Sequence, residues 1–161
     1  MVLLKTPNSF LSKQVELFDF EKLNPLEISD RMIETMEKNN GIGLSANQVG
    51  INAQIFVMKT SVGEYITAIN PVIVELGKQI ETGVEGCLSF PNLVLAISRP
   101  TTVTATFLDK YAQSCIMVFD GIDARCFLHE YDHLHGTVFT DLVSRLKLTR
   151  AKQQRKKHGR T

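Results

Sequence analysis

A chain of 161 residues with 43% hydrophobic side chains holds enough apolar material for one folded domain with its own core. It has no run of about 18 uninterrupted apolar residues to cross a membrane, and its apolar start is too short for a secretory leader. Three cysteines without a CxxC pair argue against a disulfide framework and for a reducing, cytoplasmic setting.

In chain order, Asn24-Pro25-Leu26-Glu27 predicts a helix start: Asn24 caps, Pro25 suits the first helical position, and Glu27 sits where a capping-box partner would. Met32, Ile33 and Met36 keep helical spacing until Asn39-Asn40-Gly41, a stop signal. Then the period changes. Residues 54–58, 65–69 and 72–74 are short, β-branched-rich runs bounded by Gly, Asn or Pro, and predict strands. Residues 93–97, 101–108 and 114–119 read likewise, and 101–107 alternates polar with apolar as a strand with one wet face should. A second helix is predicted over about 120–134, with Gly136 as its stop and a mostly apolar composition that places it inside the molecule. From Arg145 a third, basic helix is expected. The expected architecture is α+β: short, mainly antiparallel strands packed around a central buried helix, with an N-terminal helix and a basic C-terminal segment.

The second helix carries the chemistry. His129-Glu130-Tyr131-Asp132-His133 is an HExxH pattern, which puts two histidines on one helical face to grip a metal and a glutamate beside them to act on a water. Mononuclear catalytic sites commonly take three protein ligands and leave a fourth position open. The best third candidate is Cys87 in Glu85-Gly86-Cys87-Leu88-Ser89, a tight loop or strand edge where a thiolate can project toward a metal. A lone cysteine is more often a small buried hydrophobe, and Cys115 and Cys126 are read that way. Gly41-Ile42-Gly43-Leu44-Ser45-Ala46-Asn47-Gln48 is weaker by itself, because glycine-rich segments are usually turns. It lacks the spacing of a P-loop or dinucleotide site.

Together and in this order, the three motifs resemble those of the peptide deformylase family, GxGLAAxQ, EGCLS and HExDHLxG, with a likeness running from about Pro7 to Leu148. The resemblance implies one divalent metal ion on Cys87, His129 and His133, most often Fe²⁺ in the cell, although Zn²⁺, Ni²⁺ and Co²⁺ can occupy such a site. It implies removal of the formyl group from N-formylmethionyl peptides by a metal-activated water. Glu130 is then the general acid and base, and the Gln48 amide and Leu88 N–H meet the oxyanion. By motif position the methionine slot draws on Ile42, Val84, Arg125, Cys126 and the His129 ring. The substrate backbone is expected to pair with the edge formed by Ile42, Gly43 and Leu44.

Several positions depart from the family pattern. Ser45 replaces an alanine, Asn39-Asn40 stands where acidic residues are common, and Leu128 replaces a glutamine. Val94 stands where a basic residue often contacts substrate. Arg125 occupies a position that is usually apolar, and it is expected to reach out to the pocket mouth. Asp132 is expected to pair with Arg99, and His135 and His158 to lie at the surface.

Residues 145–161 hold eight basic side chains and no acidic one, while the rest of the chain stands at −7. A catalytic domain over 1–148 and a basic tail over 149–161 are expected. The tail either meets a polyanion, which in this family implies the ribosome surface, or is a solvated terminal helix. Two rival functions are weighed. A HExxH zinc peptidase would take its third ligand downstream, where His135, Asp141 and His158 have the wrong spacing. A non-catalytic binding module would have no use for Glu130 and Gln48.

Overall fold

The computed structural model describes residues 1–158, with side chains described through Gln154. The first helix, α1, spans Pro25–Lys38 as the capping signals predict, and the Asn24 carboxamide accepts from the N–H groups of Leu26 and Glu27. Five strands form one antiparallel sheet in the order β1 (Gly43–Ser45), β2 (Ile55–Lys59), β3 (Tyr65–Leu76), β6 (Thr102–Leu108) and β7 (Ser114–Asp120). Strands β4 (Ile80–Gly86) and β5 (Val94–Pro100) make a separate antiparallel hairpin.

Two features differ from the sequence expectation. Residues 65–69 and 72–74 belong to one strand. Asn70 and Pro71, which look like a break, are absorbed by a register shift between Ile69 and Val72, with Asn70 at φ 49°. The extra residue of a bulge bends a strand without ending it. Strand β4 was not expected, because two glycines and two glutamates interleave with Ile80, Thr82 and Val84 and mask their alternation.

Helix α2, Gly121–Leu134, packs against β1, β2, β5, β6 and β7 and so meets both sheets. Its Phe127 lies 5.0 Å from Phe56 and 4.8 Å from Phe119, ring centre to ring centre, and is fully buried with them in the main core cluster. A second cluster joins α1 to β1 and β2 through Met32, Met36, Leu44, Ile55 and Val57. Helix α3, Arg145–His158, starts four residues before the expected head of the basic tail. Its Leu148 and Ala151 pack on Leu93, Leu95, Ile97 and Phe139. Among the described residues, no helix is long and apolar enough to cross a membrane.

Candidate metal centre and active site

The site forms where three elements that are distant in the chain converge. Helical spacing puts His129 and His133 on one face of α2, with ring centres 5.0 Å apart. Cys87 follows directly on the end of β4. A ligand atom from each of the three lies within 4.8 Å of the other two, and the Cys87 sulfur is 3.2 Å from His133 Nε2. Among the described residues this is the one cluster of side chains suited to hold a metal.

The donor set fits a divalent ion of borderline softness. Two buried polar atoms next to it have no protein partner, Glu130 Oε2 and His133 Nδ1. Burial pushes the His133 ring well below its ordinary pKa, helped by the charges of His129 and Arg99, so it stays neutral as a ligand must. His129 behaves oppositely. Burial works against a proton there, but bonds to Cys87 and Glu85, with the Glu130 charge nearby, raise its pKa to about 10. The acceptors around His129 therefore favour a positive charge at this position, which a bound cation would supply in place of the proton.

Glu130 is fully enclosed, and burial raises its carboxyl to about 7 against the opposing pull of His129, Ser45 and Arg99. A carboxyl near neutrality can both take up and release a proton at working pH. Gln48 is held in one orientation. Its Oε1 accepts from the Ser45 N–H and hydroxyl, both at 2.9 Å, and its Nε2 donates toward the Cys87 sulfur at 3.3 Å and the Ser89 hydroxyl at 3.2 Å. The amide donor therefore faces the metal cluster.

A cavity of about 500 Å³ opens over these groups, lined by Ile42, Gly43, Gln48, Val84, Cys87, Leu88, Arg125, Cys126, His129 and Glu130. Most of the residues expected from sequence are thus brought together. Leu44 is the exception: its side chain is fully buried in the α1–β2 cluster, so only its main chain can face a ligand. Cys126 is buried, and its thiol donates to the Ile42 carbonyl at 3.4 Å. Val84 is 70% exposed at the rim.

Arg125 lines the cavity, but its guanidinium is tied to the hairpin rather than free at the pocket mouth. It folds back beneath the β4–β5 hairpin and donates to Glu85 Oε1 at 2.8 Å, to the Ile97 carbonyl at 2.9 Å and to the Glu81 carbonyl at 2.9 Å. The hairpin supplies acceptors on that side of α2, and buried acceptors outcompete water for a guanidinium. Asp132 does pair with Arg99, at 2.7 Å. His135 is half-buried, with Nδ1 2.8 Å from the Tyr131 carbonyl and its ring against the Tyr131 ring. His158 lies outside the residues whose side chains are described.

Sequence reasoning missed two supports. Glu85 accepts from His129 Nδ1 at 3.0 Å and from Nε and Nη2 of Arg99, at 2.6 and 3.0 Å. That fixes the His129 ring and leaves its Nε2 for a metal. The available signal was spacing, since residues two apart on a strand share a face and Glu85 precedes Cys87 by two. Asn47 donates to the His133 carbonyl at 2.6 Å and ties the end of α2 to the turn that carries Gln48. No sequence signal separated it from an ordinary turn residue.

Two histidines and a thiolate beside a buried carboxylate, on an α+β framework, define a mononuclear metallohydrolase. A family model described as polypeptide deformylase matches residues 1–149. The peptide deformylase of Thermosynechococcus vestitus is 38% identical over 139 residues, 84% of this chain and 73% of that one. That of Agrobacterium fabrum is 36% identical over 149 residues, 90% and 88% of the two chains. Among solved structures, a Synechococcus elongatus peptide deformylase in complex with actinonin superposes with a TM-score of 0.90 at 32% identity, covering 96% of this chain and 87% of that one. One from Legionella pneumophila gives 0.89 at 30% identity, covering 99% and 95%. The chain belongs to the polypeptide deformylase family and is a metal-dependent enzyme of that kind.

Proposed function

We propose that this chain releases formate from N-formylmethionyl peptides at one divalent ion held by Cys87, His129 and His133. The observation that carries this reading is the convergence of the three ligand atoms with the partnerless Glu130 oxygen and the inward-facing Gln48 amide in one cavity. Fe²⁺ is the ion expected in the cell, and Zn²⁺, Ni²⁺ or Co²⁺ also suit the donors. When bound, the ion supplies Lewis acidity and lowers the pKa of a water to ~7.

The protein groups do the rest. Glu130 takes a proton from the attacking water and returns it to the leaving amine, a role often worth about 10²–10⁴ in rate. The Gln48 amide and the Leu88 N–H meet the developing oxyanion, each such donor being worth ~3–4 kcal/mol. Ile42, Val84, Cys126 and the His129 ring form the slot for the methionine side chain, and the main chain of Ile42 to Leu44 pairs with the peptide backbone. The test is turnover of formyl-Met-Ala-Ser by anaerobically purified protein, with Glu130→Ala as control. Formate release that disappears in the variant supports the reading, and equal release from both removes Glu130 from the mechanism.

The same reading places the enzyme in a cytoplasm where nascent chains carry formylmethionine. A catalytic domain over 1–148 is followed by a basic tail that docks on ribosomal RNA. Removing residues 152–161, beyond the packing contact of Ala151, should leave turnover of a short formyl-peptide intact and weaken salt-sensitive binding to ribosomes. Unchanged ribosome affinity would sink that part.

A further inference from the structure

We propose that Arg125 is a positioning residue for the metal centre: its guanidinium pins the β4–β5 hairpin, and with it the Cys87 thiolate, onto the helix that carries His129 and His133. The proposal rests on Cys87 being a metal ligand, as argued above.

The ligands arrive from two bodies that are not hydrogen-bonded to each other as a sheet. His129 and His133 belong to α2, whereas Cys87 follows the last residue of β4 in a separate two-stranded hairpin. A metal site needs its ligands held to within a fraction of an ångström. Something must therefore fix the hairpin on the helix, and the buried arginines do so. Arg99, on β5, grips Glu85 and reaches Asp132 on α2. Arg125 works from the other side. Rooted on α2 one turn before His129, it contacts Glu85 and a main-chain carbonyl on each strand, Glu81 in β4 and Ile97 in β5. Three acceptors on both strands fix rotation and translation of the hairpin in a way that one ion pair cannot.

The neighbouring residue is fitted to this arrangement. A methyl group at Gly83 would lie 2.8–3.0 Å from the Cζ, Nη2 and Nε atoms of Arg125. The guanidinium therefore lies against bare backbone, and an alanine at 83 would drive it off. The side chain is only 12% exposed, and three of its five N–H donors are given to the hairpin. That is an anchoring geometry, and it explains how an arginine can occupy a position next to an apolar slot without ruining it.

Arg125→Ile and Gly83→Ala should each weaken metal binding about 10–100-fold, the range seen when support behind a ligand is lost. Affinity is read by chelator competition, and site geometry by the thiolate-to-metal absorption of the Co²⁺-loaded protein, which should shift or fade in both variants. The double variant should be no worse than Arg125→Ile alone, because both changes remove one contact. If Arg125→Ile does not fold, Gly83→Ala carries the test, since it keeps the arginine and its charge. Wild-type affinity and an unchanged Co²⁺ spectrum in the variants would overturn the inference, as would a rise in KM with kcat and metal affinity intact. A wild-type spectrum with no thiolate band would instead overturn the Cys87 assignment.

Discussion

At the scale of the residue, the site tolerates very little added volume. Gly43 is where β1 passes over the Glu130 carboxylate, proposed above as the acid and base, and a methyl there would overlap Glu130 Oε1 and come within 2.8 Å of the Cys126 sulfur. Gly43→Ala should therefore cut kcat by at least about tenfold, consistent with displacing a proton-transfer group. Metal content, measured by atomic absorption, should stay at the wild-type level because none of the three ligands is touched. Glu85 offers a second test. Burial alone would raise its pKa, but the bonds from His129 and Arg99 outweigh burial and hold it near 2, below the 4.5 of an unperturbed glutamate. A depressed folded-state pKa stabilises the fold above about pH 4.5, and that stabilisation drains away as pH falls toward 2. Urea unfolding with chelator present should show this loss in the wild type and a flatter profile across the same window in Glu85→Gln.

At the scale of the element, capping residues, glycines and hydrophobic period located α1 and α2 and most strands, because those signals act within a few residues. The Asn24 cap illustrates this: Asn24→Ala removes the acceptor for two N–H groups and should cost about 1 kcal/mol in urea unfolding at unchanged activity. What stayed hidden depended on partners far away in the chain. Strand β4 is held because β5 pairs with it along its whole length, from Ile80 opposite Pro100 to Gly86 opposite Val94, while its glycines and glutamates mask the alternation of Ile80, Thr82 and Val84 in the sequence. The HExxH helix and Cys87 were legible as motifs. The inward turn of Leu44 and the folding-back of Arg125 were not, because each is decided by what packs over it. Ser45 makes the same point, since a change that looks neutral in sequence supplies the hydroxyl that holds Gln48 in place.

At the scale of the whole molecule, a metal on the proposed ligands Cys87, His129 and His133 would join the hairpin to α2, so binding it should stabilise the fold as any native-state ligand does. A chelator should lower the calorimetric melting temperature, and re-addition of Co²⁺ or Ni²⁺ should restore it. An unchanged melting temperature would mean that the protein contacts alone hold the two parts together. Among the described residues, the five-stranded sheet leaves both of its outer strands unpaired on one side, β1 at one end and β7 at the other. A free strand edge is a template on which any extended chain can add, including another copy of the same protein. The edge proposed to receive substrate is only three residues long, Gly43 to Ser45, whereas β7 runs for seven and exposes Ile116 and Val118. Brevity makes β1 a poor seed for aggregation while leaving room for the first residues of a peptide, so unwanted assembly of this enzyme should begin at β7, away from the catalytic cleft.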